Sequence, residues 1–357
     1  MKTKLFDFDV TSRLMPDTPL PLRGKSRDDG RLVVLDRAAD HIAHTHFPAI
    51  LDYLHAGDLL VFNDSYVMPN ALIFRAGQQQ FPIIVHGSEP GGVYVIHVQS
   101  ASCLPPGGLL TWVLNPALSA QLLSQQADGL WRARVSSAEL LLGALEQYGS
   151  RQEETDNDGI CTAPELWQRT PEHFRSVRAK TPGSLDIPSA GLHFSLDLLD
   201  RIRRKGVEIA DITLHVGVSE TFAVRHISAD QVENHKVKAE YYNVGPEAAA
   251  QIGRAWREKR RIIAVGTTVM RTLESLEFDP RHGAVRAQSG WTDLYIYPGF
   301  NFRFVGALLT NLHQPRSSHI VLTSAFAGTD LTLRSYNEIL NIGSYEFDMY
   351  GDSMLIV

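Results

Sequence analysis

From about residue 165 onward the chain alternates segments whose apolar residues repeat at helical spacing with short, continuous apolar runs. This alternation constrains the fold more than any other feature. Helices and strands can bury their apolar sides together only if the strands form a sheet and the helices cover it. "LDLLDRIRRK" reads as a helix: the Ser195 hydroxyl caps its start, Asp197 complements the positive end of its dipole, and Gly206 stops it. "VEIADITLHV" is then a strand, and "PEAAAQIGRAWREKR" a helix with Pro246 near its first turn. "RIIAVGTT" predicts a strand entering a turn, and "VMRTLESL" the helix after it. "WTDLYIYPG" and "FRFVGALLTN" predict strands, "SSHIVLTSAFAG" and "LTLRSYNEIL" helices, and "DSMLIV" a last strand. The expectation is an α/β main domain with a mostly parallel sheet, open or barrel-like.

The first seventy residues fit the same class. "GRLVVLDR" and "HIAHTHF" read as paired strands, "FPAILDYLHAGD" as a helix stopped at Gly57, and "DLLVFND" as a buried strand. Residues 71–150 differ. "FPIIVHG", "GGVYVIHVQS", "GLLTWVL" and "LWRARVSS" are short and β-prone, and Gly-Gly and Pro-Pro-Gly turns separate them. They predict a small all-β, barrel-like domain at 71–150, inserted between the two parts of the main domain at 1–70 and 151–357. Polar "RQEETDNDG" would be the return linker.

A chain of 357 residues with 44% hydrophobic and 21% charged residues can bury the core of two such domains. A net charge of −6 argues against a basic nucleic-acid coat. The local clusters "FRSVRAK", "RIRRKG" and "RAWREKRR" are most simply solvated helix faces, but together they leave an RNA partner open. Cys103 and Cys161, the two cysteines, lie far apart and form no CxxC pair. "MKTKLFDFDV" has no apolar signal segment, and no apolar run is long enough for a bilayer, so a cytoplasmic protein without a membrane partner is expected.

Ligands of α/β sheets bind beyond the carboxyl ends of the strands. His215 and Gly217 fall at such an end, as do Gly266, Thr267 and Thr268 after "IIAV", and Asn311 and His313 after "ALLT". His193 precedes a helix and is expected on the same rim, so that His193 and His215 would face one cleft. A single histidine near a strand end is more often structural; several polar loops on one edge favour a site. His41, His44 and His46 in "HIAHTH" lack a carboxylate or cysteine at ligand spacing and read as an exposed strand face, so no metal is expected. No GxGxxG follows a strand, and neither a Walker loop nor a GxSxG elbow occurs.

"PSAGLHFS", "TLHVG", "VGTTVMRTLES", "GWTDLYIYPGFNFRFVGALLTNLHQPRSS" and "SAFAG…YGDSML" together resemble the S-adenosylmethionine:tRNA ribosyltransferase-isomerase family of queuosine biosynthesis. The N-terminal "FDFD", "GRLVVLDR" and "GDLLVFND" also fit, and the resemblance is weakest from about 71 to 165. It implies a barrel-like α/β domain with an inserted β-barrel, a monomer, and tRNA as partner. It implies S-adenosylmethionine as a consumed substrate whose ribosyl carbons pass to 7-aminomethyl-7-deazaguanine at the wobble position. Adenine and methionine leave, and epoxyqueuosine results. In that chemistry the sulfonium acidifies its neighbouring C–H, and a histidine suits proton transfer there. His193 and His215, with Thr267 and Thr268, are the catalytic candidates. Thr267, Thr268 and Asn311 offer neutral hydrogen bonds, Asp293 a partner for an amine or a histidine, and Arg316 a phosphate contact. Arg271 would pair with the methionine carboxylate or, alternatively, with Glu274. The matching motifs add Ser189, Gly191, Gly217, Thr221, Phe222 and His313 as substrate-binding candidates.

The chain departs from the family pattern at several places. Tyr66 and Asn70 stand where arginines are usual, Glu220 is added in "HVGVSETF", Gln314 replaces a leucine, and the "PLPPYI" segment is not recognisable. Losing arginines weakens anionic contacts. Two further readings therefore stand beside the family reaction. One is a divergent paralogue that uses S-adenosylmethionine on another amine or nucleoside. The other is a non-catalytic protein that binds S-adenosylmethionine or RNA.

Overall fold

The computed structural model describes residues 1–89, 91–99, 104–126, 129–150, 170–217 and 225–357. The chain opens with the hairpin β1 (Arg31–Asp36) and β2 (His41–His46), a single helical turn α1 (Ile50–Tyr53), β3 (Leu59–Asn63) and the short β4 (Ser65–Val67). Six strands follow: β5 (Ala71–Ala76), β6 (Gln79–Glu89), β7 (Val93–Val98), β8 (Leu109–Trp112), β9 (Ser119–Gln125) and β10 (Trp131–Val135). They close into an antiparallel barrel, in the order β10-β7-β6-β5-β8-β9. Helix α2 (Ala138–Tyr148) plugs it with Leu141, Ala144 and Leu145. Sequence reasoning gave no helix there; "SAELLLGALEQY" carries its apolar residues toward the barrel core, and the Ser137 hydroxyl accepts from the Leu140 amide to start it.

The second part brings β11 (Thr181–Ser184), α3 (Leu196–Arg204), β12 (Glu208–Leu214), β13 (Glu240–Val244), α4 (Pro246–Arg257), β14 (Ile262–Val265) and α5 (Thr267–Ser275). Then come the small hairpin β15 (Phe278–Asp279) and β16 (Ala284–Val285), β17 (Gln288–Thr292), β18 (Val305–Asn311), α6 (Ser318–Ala327), α7 (Thr329–Ile342) and β19 (Ser353–Ile356). A nine-stranded sheet runs β17-β13-β12-β3-β14-β18-β19-β1-β2. Its centre, β12-β3-β14-β18, is parallel; β13, β17, β2 and the β18–β19 pairing are antiparallel. The sheet is thus mixed, with β17 and β2 at its edges.

Alternate residues of each central strand enter opposite cores. Leu59 and Val61 of β3 join one, Leu60 and Phe62 the other. Ile252, Met270, Leu273, Ile320 and Ile339 cover the first face; Leu198, Leu199, Ile202 and Phe47 cover the second. Burial on both faces explains why these strands read as unbroken apolar runs.

The barrel is tied in at both ends of its chain segment. The Asn70 and Ala71 amides donate to the Ser150 carbonyl at 3.1 and 3.0 Å. Beside this junction β11 pairs in parallel with β4, Thr181 opposite Ser65. Two expectations fail locally. The helix expected in "FPAILDYLHAGD" is only α1, since Pro48 shapes a tight turn before it and Leu54 already has extended backbone. "WTDLYIYPG" is strand only to Thr292. Beyond that point the Leu294 carbonyl accepts from Arg271 and the Leu294 amide donates to the Thr292 hydroxyl, in place of a neighbouring strand.

Candidate functional site

Five of the residues expected on the rim of the sheet come together. Gly266, Thr267, Thr268, Asn311 and His313 line one polar cavity of about 50 Å³ at the carboxyl ends of β14 and β18, and Ser189, a candidate from the motifs, lines it with them. Gly266 (φ 104°) turns the chain sharply from β14 into α5, which places Thr267 and Thr268 on the first turn of that helix. There the helix dipole and unpaired amides favour anionic or oxygen-rich groups. Asn311 donates to the Asp348 and Met349 carbonyls, both at 3.1 Å, and its side-chain oxygen lies 3.5 Å from the Ser189 hydroxyl. His313 is bonded through Nε2 to the Thr310 hydroxyl at 2.9 Å. Burial, with His319 and Arg225 nearby, holds its pKa well below the usual histidine range, so it is neutral at pH 7.

The same cavity holds residues that the sequence did not single out: Asp186, Arg225, His319 and Asp348. Arg225 grips Asp348 with both nitrogens, at 3.2 and 3.1 Å, in a buried bidentate ion pair. Gln314, the residue found in place of a leucine, donates to the same carboxylate at 2.5 Å. That departure therefore has a physical partner. Asp348 has φ 67°, in a turn that "FDMYGD" signals weakly through its glycine alone.

His215 and Gly217 lie elsewhere. They line a second, larger cavity of about 400 Å³ between the barrel and the sheet. The barrel side offers Val85, Tyr94, Val95 and Leu142; the sheet side offers Tyr241 and Trp291. The His215 amide donates to the Tyr241 carbonyl at 2.9 Å, and its ring stacks on that tyrosine at 5.9 Å between centroids. Nδ1 of His215 is buried without a hydrogen-bond partner among the described residues. Burial lowers its pKa, so this imidazole too is neutral at pH 7.

Arg271 does not pair with Glu274. It is buried and paired with Glu240, and it donates from Nε to the Leu294 carbonyl at 2.9 Å. Glu240 in turn accepts from the Gly217 amide at 2.8 Å, so Arg271 fixes the His215–Gly217 turn from behind. Glu274 instead receives the Arg303, Phe304 and Val305 amides.

The idea that both histidines face one cleft is also corrected. His193 lines neither cavity. It stacks on Phe47 at 5.1 Å within the core, 4% exposed, and burial pushes its pKa down to about 4. Gly191 sits in the same turn, where a side chain would strike Ser176 at 2.9 Å. Asp293 is exposed and lines neither cavity. Arg316 lies outside both as well, within 4.0 Å of Asp7 and 3.4 Å of the Ile227 carbonyl. Glu220, Thr221 and Phe222 lie outside the described residues. His41, His44 and His46 are exposed on edge strand β2, with His44 bonded to Tyr345 and Glu338. No group of three metal-ligating side chains occurs among the described residues.

Tyr66, which stands for an arginine, carries a guanidinium from another segment: Arg175 covers its ring at 3.9 Å, while its hydroxyl donates to Glu146 at 2.7 Å. Among the described residues no helix is long and apolar enough to cross a membrane.

The family model described as "Queuosine biosynthesis protein" matches residues 3–356. The chain belongs to that family. Among solved structures it is similar to the crystal structure of S-adenosylmethionine tRNA ribosyltransferase from Thermotoga maritima, with 30% identity, 99% of this chain and 100% of that one covered, and a TM-score of 0.54. The resemblance read from the motifs is borne out, and with it the α/β fold carrying a small β-barrel and the expectation of an enzyme of the ribosyltransferase-isomerase type.

Proposed function

We propose that this enzyme transfers and isomerises the ribosyl unit of S-adenosylmethionine onto the amine of 7-aminomethyl-7-deazaguanine at the tRNA wobble position. Adenine and methionine leave and epoxyqueuosine remains. The observation that supports this reading best is the gathering of Ser189, Thr267, Thr268, Asn311 and His313 around one cavity within a chain that matches the family end to end. These groups are neutral donors and acceptors suited to sugar hydroxyls and an amino-acid terminus, and the Arg225–Asp348 pair adds both charges.

In this reading His215 carries the proton transfer. A neutral imidazole is the form that accepts a proton from a carbon made acidic by a sulfonium, and the His215 ring lines the larger cavity. His193 serves packing. Thr267 and Thr268 orient the substrate, and Arg271 positions the His215 turn through Glu240. The protein is expected to act on tRNA in the cytoplasm as a monomer, without a metal. A second acceptor, another amine or nucleoside, is favoured by one observation: Tyr66 and Asn70, which replace arginines, are largely buried and give no exposed cation for phosphate.

Adenine release from S-adenosylmethionine separates the readings. The purified protein is assayed with tRNA bearing the aminomethyl-deazaguanine base, with unmodified tRNA, and without RNA. Release only with the modified tRNA, and epoxyqueuosine in its digest, is the expected result. Tight S-adenosylmethionine binding with no release in any arm would remove the wobble-base reaction and leave the other acceptor or a binding role.

A further inference from the structure

We propose that Gln314 is a positioning residue for the reaction: its side-chain amide fixes the plane of the Asp348 carboxylate and, through that carboxylate, the Arg225 guanidinium on the wall of the rim cavity. The inference rests on the preceding functional reading, in which this ion pair supplies the charges of the rim cavity. Gln314 stands where the family pattern has a leucine, so the role is not one that the pattern supplies.

Three segments meet at Asp348. Residues 226–227 run against 316–317: His226 forms an antiparallel bridge with Ser317, and the Ile227 amide donates to the Arg316 carbonyl at 2.7 Å. Arg225 and Gln314 therefore reach Asp348 from neighbouring stretches of chain. Arg225 donates from Nη1 to Oδ1 at 3.2 Å and from Nη2 to Oδ2 at 3.1 Å. Gln314 donates from Nε2 to the same Oδ2 at 2.5 Å. All three side chains are buried. Arg225 and Asp348 line the rim cavity, and Gln314 is not among its lining residues, so it acts through the pair.

The backbone of the Asp348 turn is fixed without Gln314. Asn311 donates to the Asp348 and Met349 carbonyls, and the Asp348 amide donates to the Leu312 carbonyl at 2.7 Å. The plane of the carboxylate is not fixed in this way. The terminal torsion of an aspartate is broad, so its own rotamer does not set it. The two bonds from Arg225 hold fork against carboxylate, but the arginine side chain is long and the pair can turn together. A third donor on a fixed backbone removes that freedom. Gln314 has such a backbone: the Ser317 hydroxyl donates to its carbonyl at 2.8 Å and caps α6 by accepting from the Ile320 amide at 3.3 Å. The amide is also neutral, so it orients the carboxylate without competing with Arg225 for its charge. A leucine would offer no donor.

Steady-state adenine release by Gln314→Leu and Gln314→Met tests this; methionine matches the length of the side chain and lacks only the donor. In both, KM for S-adenosylmethionine should rise by about fivefold or more while kcat stays within roughly twofold, the pattern of lost binding that is equal in ground and transition states. Asp348→Asn keeps the turn, since asparagine accepts positive φ. In that background Gln314→Met should change KM by less than roughly twofold, because the carboxylate it orients is gone. Wild-type KM in both single variants would overturn the proposal, even with a lowered unfolding midpoint, which would leave Gln314 a packing role alone. So would a fall in kcat at unchanged KM, or effects that multiply in the double variant. Where Asp348→Asn does not fold, the KM–kcat split in the two Gln314 variants decides. Release by the wild type together with unaffected Gln314 variants rejects the positioning role and leaves the functional reading standing. No release in any arm rejects that reading, and calorimetry with S-adenosylhomocysteine, which needs no turnover, then judges Gln314 by the same fivefold loss; no binding to the wild type overturns the proposal as well.

Discussion

Residues 188–194 and 213–217 flank the same unit, α3 followed by β12, and each stretch carries a histidine and a glycine. Both imidazoles stack on an aromatic ring, His193 on Phe47 and His215 on Tyr241, and both have a buried nitrogen without a hydrogen-bond partner among the described residues. What lies around each ring differs. His193 is 4% exposed in filled core; His215 faces a cavity of about 400 Å³. An orphaned nitrogen in packed core only costs stability, whereas a ring on a cavity wall can present part of its edge to a ligand. The two ends of one supersecondary unit have thus been put to structural and chemical use respectively.

The most severe test of that contrast is Arg271→Met. Glu240 is 2% exposed, and it holds the Gly217 amide while Arg271 compensates its charge. Removing one member of a buried ion pair costs about 3–5 kcal/mol, because the other is left charged in the core. Urea denaturation should find a loss of that size, and adenine release should fall with it as the His215 turn loosens. A loss below about 1 kcal/mol would mean that the pair does not hold the turn, and the chemical end of the unit would need another anchor.

The second test addresses the structural end through pH. The folded-state pKa of His193 is about 4, below the ordinary 6.5. The unfolded chain therefore takes up a proton first. The stabilising effect of keeping this ring neutral is complete above pH 6.5 and is lost as pH falls toward 4, by roughly 3 kcal/mol at 1.36 kcal/mol per pKa unit. His313, also depressed by burial, adds loss of the same sign. In His193→Gln the slope of stability against pH between 6.5 and 4 should flatten, although the variant is weaker at pH 7 through the lost stack on Phe47. An unchanged slope would mean that His193 meets solvent in the native state, and the contrast with His215 would collapse.

The parts of the fold legible in the sequence were those where one residue type acts locally. Ser195, Gly206, Pro246 and the apolar runs "LLVF" and "IIAV" each fix their own element, so the α/β alternation and the β-rich segment at 71–150 could be read directly. The rim residues were legible for a related reason: strands that end in a sheet place their next residues on one edge, and Thr267, Thr268, Asn311 and His313 follow such ends. What could not be read depends on pairing across long separations. Arg271 has its i+3 neighbour Glu274 within reach on paper, but the structure pairs it with Glu240, thirty-one positions away. Arg225 and Asp348 are 123 positions apart and neither carries a local signal. The placement of His193 was missed because a histidine before a helix reads alike whether its ring turns into the core or toward the rim.

The smallest effect comes from the helix that joins the two stretches. Ser195 caps α3 by accepting from the Leu198 amide at 3.1 Å, and it donates to Asp28 at 2.6 Å. Ser195→Ala removes both bonds, and loss of such a cap costs about 1 kcal/mol. Leu198, Leu199 and Ile202 keep α3 on the sheet, Phe47 still holds His193, and Glu240 still holds Gly217. Thermal unfolding should therefore shift slightly, while adenine release stays within twofold of wild type. A tenfold loss of release with so small a change in stability would show that the two ends communicate through α3, and that the division between a packing histidine and a chemical one is drawn too sharply.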